Sequence, residues 1–145
     1  MAMHENSRRL SVLVAVTASV AGALPNRFCE LDTTGEYGQV KTFVPGANGG
    51  VPDGILAMKA DTANVKDGVV ASSMALPDGA QQTIELGEAV TKGDLIRCGG
   101  NSSEVDGAAY LADASGDVIV GKAIEAGAVG EIVSILFTGH AGTVA

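Results

Sequence analysis

The sequence predicts one all-β domain, a compact β-barrel or sandwich built from many short strands. Three observations support this prediction. Short apolar runs recur along the whole chain, turn-forming glycine, proline and aspartate residues separate them, and no segment of ten or more residues has a helical apolar stripe. The length of 145 residues is that of a single domain. Aromatic residues contribute only 3%, so the predicted core consists mainly of valine, isoleucine, leucine and alanine.

The first predicted strand covers residues 10–20. Its even-numbered positions are all apolar, whereas its odd-numbered positions include the polar residues Ser11 and Thr17. Alternation with a period of two is typical of a half-buried strand. The stretch also follows Arg8-Arg9 and ends near small residues at 21–23, which is the outline of a secretory signal. It is too short and too polar for a membrane span, which needs about 20 mostly apolar residues. We therefore predict a strand and no membrane partner, with the signal as the alternative.

Residues 1–9 are polar and precede this strand, so we predict an N-terminal arm followed by a single β-domain over residues 10–145. The arm holds two of the nine cations of the chain. The arm would reach over a neighbouring subunit or the capsid and bring Arg8, Arg9 and Leu10 into contact with it, so these are the candidate partner-contact residues. Solvated disorder of the first six residues is the alternative.

Nine further apolar runs predict the remaining strands. These runs are residues 27–32, 38–44, 54–60, 68–74, 81–86, 94–98, 108–112, 117–125 and 131–138. The sequences between them, such as Pro45-Gly46 and Pro77-Asp78-Gly79, favour the backbone angles that turns require. We expect an exposed loop over residues 45–53. Residues 86–92 are the one segment where we expect a short helical turn.

Two stretches of the chain resemble each other, and we predict an internal two-fold repeat with units at about 25–80 and 88–139. The apolar segment around Cys29 has its counterpart around Cys98, so the two cysteines occupy equivalent places on predicted strands. Free thiols in such places behave as small buried hydrophobes. A disulfide is the alternative if the two strands are neighbours.

Composition excludes several function classes. The chain has 17 acidic and nine basic residues, a net charge of −8, and no basic cluster, so we expect no nucleic-acid partner. Two cysteines and two histidines are too few for a clustered zinc site. The carboxylates are scattered singly, many beside turns, rather than grouped as a catalytic pair. We therefore assign no catalytic, cofactor-binding or metal-binding residue.

Two motifs come close to a chemical site. Residues 116–123 have the spacing of a phosphate-binding loop, but Ala123 stands where a Mg²⁺-binding hydroxyl is needed. The β-branched run at 118–120 favours a strand over a loop of bare backbone N–H groups. Cys98 and His140 are the other candidates, as a nucleophile and its base, and we favour the buried thiol.

Three segments of the second half carry a family resemblance: VTKGDLI at 90–96, VIVGKAIEAG at 118–127 and GEIVSILFTG at 130–139. They resemble the small capsid decoration, or cement, proteins of tailed bacteriophages, which share the pattern KGD-apolar, apolar-VG-x-A and A-x-x-GE-x-V-x-V. The resemblance covers about residues 88–139 and, more faintly through the repeat, 25–80.

This resemblance implies a compact β-domain, commonly a homotrimer, on the outer surface of an icosahedral head. Its partner would be the major capsid protein, in virions assembled in the cytoplasm of a bacterial host. The resemblance implies no enzymatic residues and no cofactor. The alternative function is a secreted or periplasmic β-domain that binds carbohydrate or a surface partner. A small hydrolase is the third hypothesis.

Overall fold

The structure, a computed structural model, describes residues 13–19, 24–33, 39–56 and 69–145. These residues form ten β-strands and no helix, which confirms the all-β prediction. The strands are β1 (Leu13–Ser19), β2 (Phe28–Leu31), β3 (Gln39–Thr42), β4 (Gly54–Leu56), β5 (Val69–Ala75), β6 (Gln81–Glu85), β7 (Leu95–Cys98), β8 (Ala109–Leu111), β9 (Gly121–Ala123) and β10 (Ile132–Phe137).

The first five strands close into a barrel in the order β1-β3-β2-β4-β5. β1 pairs antiparallel with β5 along its whole length, from Leu13 opposite Ala75 to Ser19 opposite Val69. A parallel pairing between β1 and β3 closes the barrel. The alternating segment near the start of the sequence is therefore a structural strand over residues 13–19, as its period of two predicts.

The last five strands form a second sheet in the order β6-β10-β9-β7-β8, and every pairing in it is antiparallel. Leu86 follows β6 directly and makes a parallel bridge with Ala109 at the start of β8. The Gly87 N–H donates to the Ala109 carbonyl oxygen at 2.9 Å. The two edge strands of the second sheet thus meet in parallel, as β1 and β3 do in the barrel.

The two sheets have the same strand order. The barrel runs β3-β2-β4-β5-β1 and the second sheet β8-β7-β9-β10-β6, with the same pairing directions. Cys29 on β2 and Cys98 on β7 therefore lie on corresponding strands. The repeat boundaries of 25–80 and 88–139 remain a prediction, as do the arm and the single-domain boundaries.

Two local predictions need correction. The helical turn predicted at residues 86–92 is wrong, because Leu86 and Val90 are extended and bridge to Ala109 and Gly127. Their backbone groups bond to other segments of the chain instead of to a helical turn.

The strand predicted at 117–125 is shorter, because only residues 121–123 pair within the sheet. Val118 bridges instead to Thr143, and the Val120 N–H donates to the Ile96 carbonyl oxygen.

One hydrophobic core joins the two sheets. Phe28 and Ile55 of the barrel pack in the same cluster as Ile96, Ile135 and Phe137 of the second sheet. The Phe28 and Phe137 rings are fully buried, with centroids 5.7 Å apart and planes tilted by 53°. Such a tilted pair adds to the stabilisation that apolar burial gives. A smaller buried cluster consists of Cys29, Val40, Leu56 and Met74, one from each of the strands β2, β3, β4 and β5.

Asn26 connects the barrel to the second sheet through its backbone. Its N–H donates to the Leu56 carbonyl oxygen at 2.8 Å, and its own carbonyl oxygen accepts the Glu85 N–H at 2.9 Å. The side-chain oxygen accepts the Thr83 hydroxyl at 2.9 Å. Asn26 has a φ of 57°, a left-handed conformation that asparagine tolerates better than most residues.

The shared core predicts a large effect for Phe137→Ala. We expect the free energy of unfolding to fall by about 3–5 kcal/mol, because the variant loses the buried ring and leaves a cavity between the sheets. Guanidinium denaturation followed by circular dichroism measures this loss. Val105→Ala is the control and should change stability by less than about 0.5 kcal/mol, since Val105 is 45% exposed. A loss below about 1 kcal/mol for Phe137→Ala would contradict the shared core.

Candidate functional site

The candidate partner-contact residues Arg8, Arg9 and Leu10 lie outside the described residues, and so does the predicted arm over 1–9. Their role remains a prediction.

The stretch that resembles a phosphate-binding loop is a set of extended, paired segments. Val120 is fully buried, and residues 121–123 form β9 between β7 and β10. The Lys122 side chain is exposed on the outer side of β9. The β-branched run at 118–120 lies just before this strand, and its backbone bonds to residues of other segments, from Val118 bridged to Thr143 to the Val120 N–H on the Ile96 carbonyl oxygen.

Cys29 and Cys98 are buried free thiols, as predicted. Burial and neighbouring carboxylates raise the pKa of Cys29 to about 12. Burial also raises the pKa of Cys98, whose Sγ lies 3.4 Å from the Gly99 carbonyl oxygen and 3.8 Å from that of Phe43. The thiols are held in the protonated form, in which they are poor nucleophiles.

Among the described residues, no three histidine, cysteine, aspartate or glutamate side chains are grouped so that they could hold a metal ion. The same residues contain no helix that is long and apolar enough to cross a membrane.

A charged cluster around Arg97 was not predicted from the sequence. Arg97 on β7 donates two hydrogen bonds to the Glu104 carboxylate, at 3.0 and 2.6 Å. Its Nε lies 3.4 Å from Oδ2 of Asp117, and its guanidinium lies 5.3 Å from the centroid of the Tyr110 ring. The bidentate pair and the cation–π contact fix the guanidinium in one orientation. The side chains of Arg97 and Glu104 are only 12% and 9% exposed.

This cluster holds the loop that follows β7. Glu104 also accepts the Gly100 N–H and the Asn101 side-chain N–H, both at 3.0 Å. The Tyr110 hydroxyl accepts the Val105 N–H at 2.8 Å. The hydrogen bonds from Arg97 lower the pKa of Glu104. Because these groups bond to one another and to the loop backbone, we assign the cluster a structural role.

Asp117 is the one charged residue that is almost fully buried in the described part of the chain, with 2% of its surface exposed. Its Oδ2 accepts the backbone N–H groups of Asp113 and Ala114, at 3.2 and 3.0 Å. Arg97 lies beside it and compensates its charge. The carboxylate therefore closes the turn between β8 and the segment that leads to β9.

The outer side of β9 and β10 exposes apolar side chains. Along β10, Val133, Ile135 and Phe137 are buried, whereas Ile132 and Leu136 are 52% and 37% exposed. Lys122 of β9 pairs with Leu136 on one side and with Leu95 of β7 on the other, so the three share the outer side. We call Leu95, Lys122 and Leu136, together with Ile132 and with Val129 in the turn before β10, the β9–β10 face.

Val129 is the most exposed large apolar residue of this face, at 66%. It lies in a tight turn in which the Glu131 N–H donates to the Ala128 carbonyl oxygen at 3.1 Å. The Glu131 carboxylate accepts the Ala128 N–H at 2.8 Å, and Gly130 has the φ of +84° that such a turn favours. The Gly130 N–H donates to the Leu86 carbonyl oxygen at 2.7 Å. The turn therefore presents the Val129 side chain from a fixed backbone.

No protein-family model and no curated protein matches the sequence. A solved structure does match the fold: the head fiber gp8.5 N base of bacteriophage phi29, with a TM-score of 0.63 and 17% sequence identity. The match covers 92% of this chain and 99% of that chain. The likeness extends over nearly the whole of both chains, and at this level of identity it establishes the fold that they share.

The lowered pKa of Glu104 predicts a pH-dependent contribution to stability. A carboxyl whose pKa is depressed by folding stabilises the folded state above its unfolded pKa of 4.5, and the contribution is lost as the pH falls through the folded value. Glu104→Gln should therefore be less stable than the wild type at pH 7. The difference should shrink as the pH falls below about 4.5. Urea denaturation at several pH values measures it, and a difference independent of pH would contradict the assignment.

The buried thiols predict slow modification in the folded protein. Because Cys29 has a pKa of about 12, almost none of it is thiolate at pH 8, and burial also blocks access. Ellman's reagent should label neither cysteine at a rate above that of global unfolding, and both should react at once in guanidinium. Fast labelling of one cysteine under native conditions would show that its strand opens locally.

Proposed function

We propose that the chain is a structural protein of a phage virion that decorates the outside of an icosahedral head. In this proposal it stabilises the head as a homotrimer that bridges subunits of the major capsid protein. The observation that carries the proposal is the fold match to a head fiber base over 92% of this chain and 99% of the other. The resemblance of residues 88–139 to capsid decoration proteins supports it from the sequence alone.

The charge of the chain agrees with an outer position. A net charge of −8 keeps a protein soluble at high copy number and disfavours contact with packaged DNA. The charged groups of the Arg97 cluster bond to one another and support a loop. The chemistry proposed for the chain is therefore adhesion between protein surfaces.

The mechanism is mechanical. Filling with DNA pushes capsomers apart, and a protein that bridges several subunits resists this by the surface that it buries across their seams. A standard interface buries roughly 1,200–2,000 Å². A trimer engages three sites at once, and such linkage raises avidity by roughly 10²–10⁴ without any new contact.

Two measurements test the proposal. Size-exclusion chromatography with light scattering should give a trimer, and the protein should co-sediment with expanded heads of the same phage that lack it. Unexpanded proheads are the control and should bind less, because their capsomers have not yet separated. A protein that stays monomeric at high concentration and does not bind expanded heads would contradict the proposal.

The mature N-terminus, determined by mass spectrometry, distinguishes the virion protein from the secreted alternative, because export would remove a signal peptide. Cleavage near residue 23 would remove β1, which pairs with the whole of β5. We expect the β1 segment to be present in the virion.

A further inference from the structure

We propose that the β9–β10 face is the surface that docks onto the head, and that its partner is a protein surface with an apolar centre and a rim of lysine or arginine side chains. This inference rests on the proposed function and assigns it a contact surface. The partner chemistry follows from three properties of the face: its exposed apolar side chains, its fixed backbone and the charges beside it.

The apolar side chains of the face are exposed to solvent. Val129 and Ile132 are 66% and 52% exposed and lie three residues apart. Leu136 follows on the same side of β10, and Leu95 lies two strands away in the row that passes through Lys122. Val105, which is also exposed, lies in the loop that follows β7 and outside this face. Exposed apolar side chains grouped on one side of a sheet are typical of interaction sites.

The backbone under these side chains is already fixed. The segment before β10 bonds to Leu86 through both Gly130 and Glu131, at 2.7 and 2.8 Å, and Gly127 exchanges two backbone hydrogen bonds with Val90. Binding through Val129 and Ile132 would therefore require little ordering of the chain. A surface that is fixed before binding loses less conformational entropy on association.

The charges beside the face are mainly negative. Glu125 and Glu131 are exposed and accept backbone N–H groups, from Ser134 at 2.7 Å and from Ala128 at 2.8 Å. Neither forms an ion pair within the described part of the chain. Their charges are therefore open to a partner, whereas Glu85, opposite Ile132, is paired with Arg27.

This charge pattern favours a basic partner over a second copy of the chain. A second copy would bring the same two carboxylates and a net charge of −8 to the interface, and like charges that face each other disfavour association. Lysine or arginine side chains at the rim of a capsid surface would form ion pairs with Glu125 and Glu131. The apolar centre of the same capsid surface would pack against Val129 and Ile132. Lys122 is the one cation of the face.

The first test compares Val129→Asp and Ile132→Asp with the matched control Val105→Asp in binding to expanded heads. We expect each face variant to weaken binding by at least about tenfold, since a buried charge replaces a central apolar contact. The control should bind like the wild type. All three side chains are exposed, so circular dichroism and the unfolding midpoint should stay unchanged and exclude misfolding as the cause.

The second test examines the charge of the partner. Lys122→Glu should bind the same heads more tightly, by several-fold, and its affinity should fall more steeply with added salt than that of the wild type. Weaker binding by Lys122→Glu would overturn the basic rim.

The outcomes separate this inference from the proposed function. If the wild type binds heads and both face variants bind equally well, the docking surface is wrong and the function stands. If the face variants lose the trimer in light scattering, the face contacts a second copy and the inference is overturned. If the wild type ignores expanded heads, the proposed function fails, and this docking surface fails with it.

Discussion

Burial of Phe28 against Phe137 is the contact on which the arrangement of the two sheets depends. One ring comes from the barrel and the other from the last strand of the second sheet, and both are fully buried. With aromatic residues at 3% of the chain, few other side chains have the volume to fill the space between two sheets. The backbone bonds of Asn26 to Leu56 and Glu85 then fix how the sheets meet.

Charge and apolar surface are distributed in an unusual way. The Arg97, Glu104 and Asp117 side chains are turned inward and bond to one another and to a loop, whereas Val129, Ile132 and Leu136 are turned outward. Interior ion pairs contribute little net stability, but they hold a loop in one conformation. Exposed apolar side chains also add little to the folding stability of a single chain, because they remain in contact with water. Both features agree with the proposal that the β9–β10 face docks onto a partner.

Much of the fold could be predicted because strands and turns leave local signals. The period of two at residues 10–20 predicted β1, and the glycine- and proline-rich turns located the ten strands to within a few residues. The β-branched run at 118–120 predicted extended backbone, and these residues do bond to other segments of the chain, although the strand itself begins at Gly121. The conformation at 86–92 could not be predicted, because Leu86 and Val90 bond to residues that are distant in the sequence. The Arg97 cluster was missed for a related reason. Arg97 and Tyr110 are brought together by the pairing of β7 with β8, and no local sequence pattern indicates which residues pair across two strands.

The pairing of β1 with β5 has a consequence for synthesis on the ribosome. β5 follows β1 by about 50 residues, and translation proceeds at about 5–20 residues per second. A nascent chain therefore carries β1 for several seconds before its partner leaves the exit tunnel. During that time the strand has an unpaired edge of seven residues, which another polypeptide emerging from the same polysome could capture.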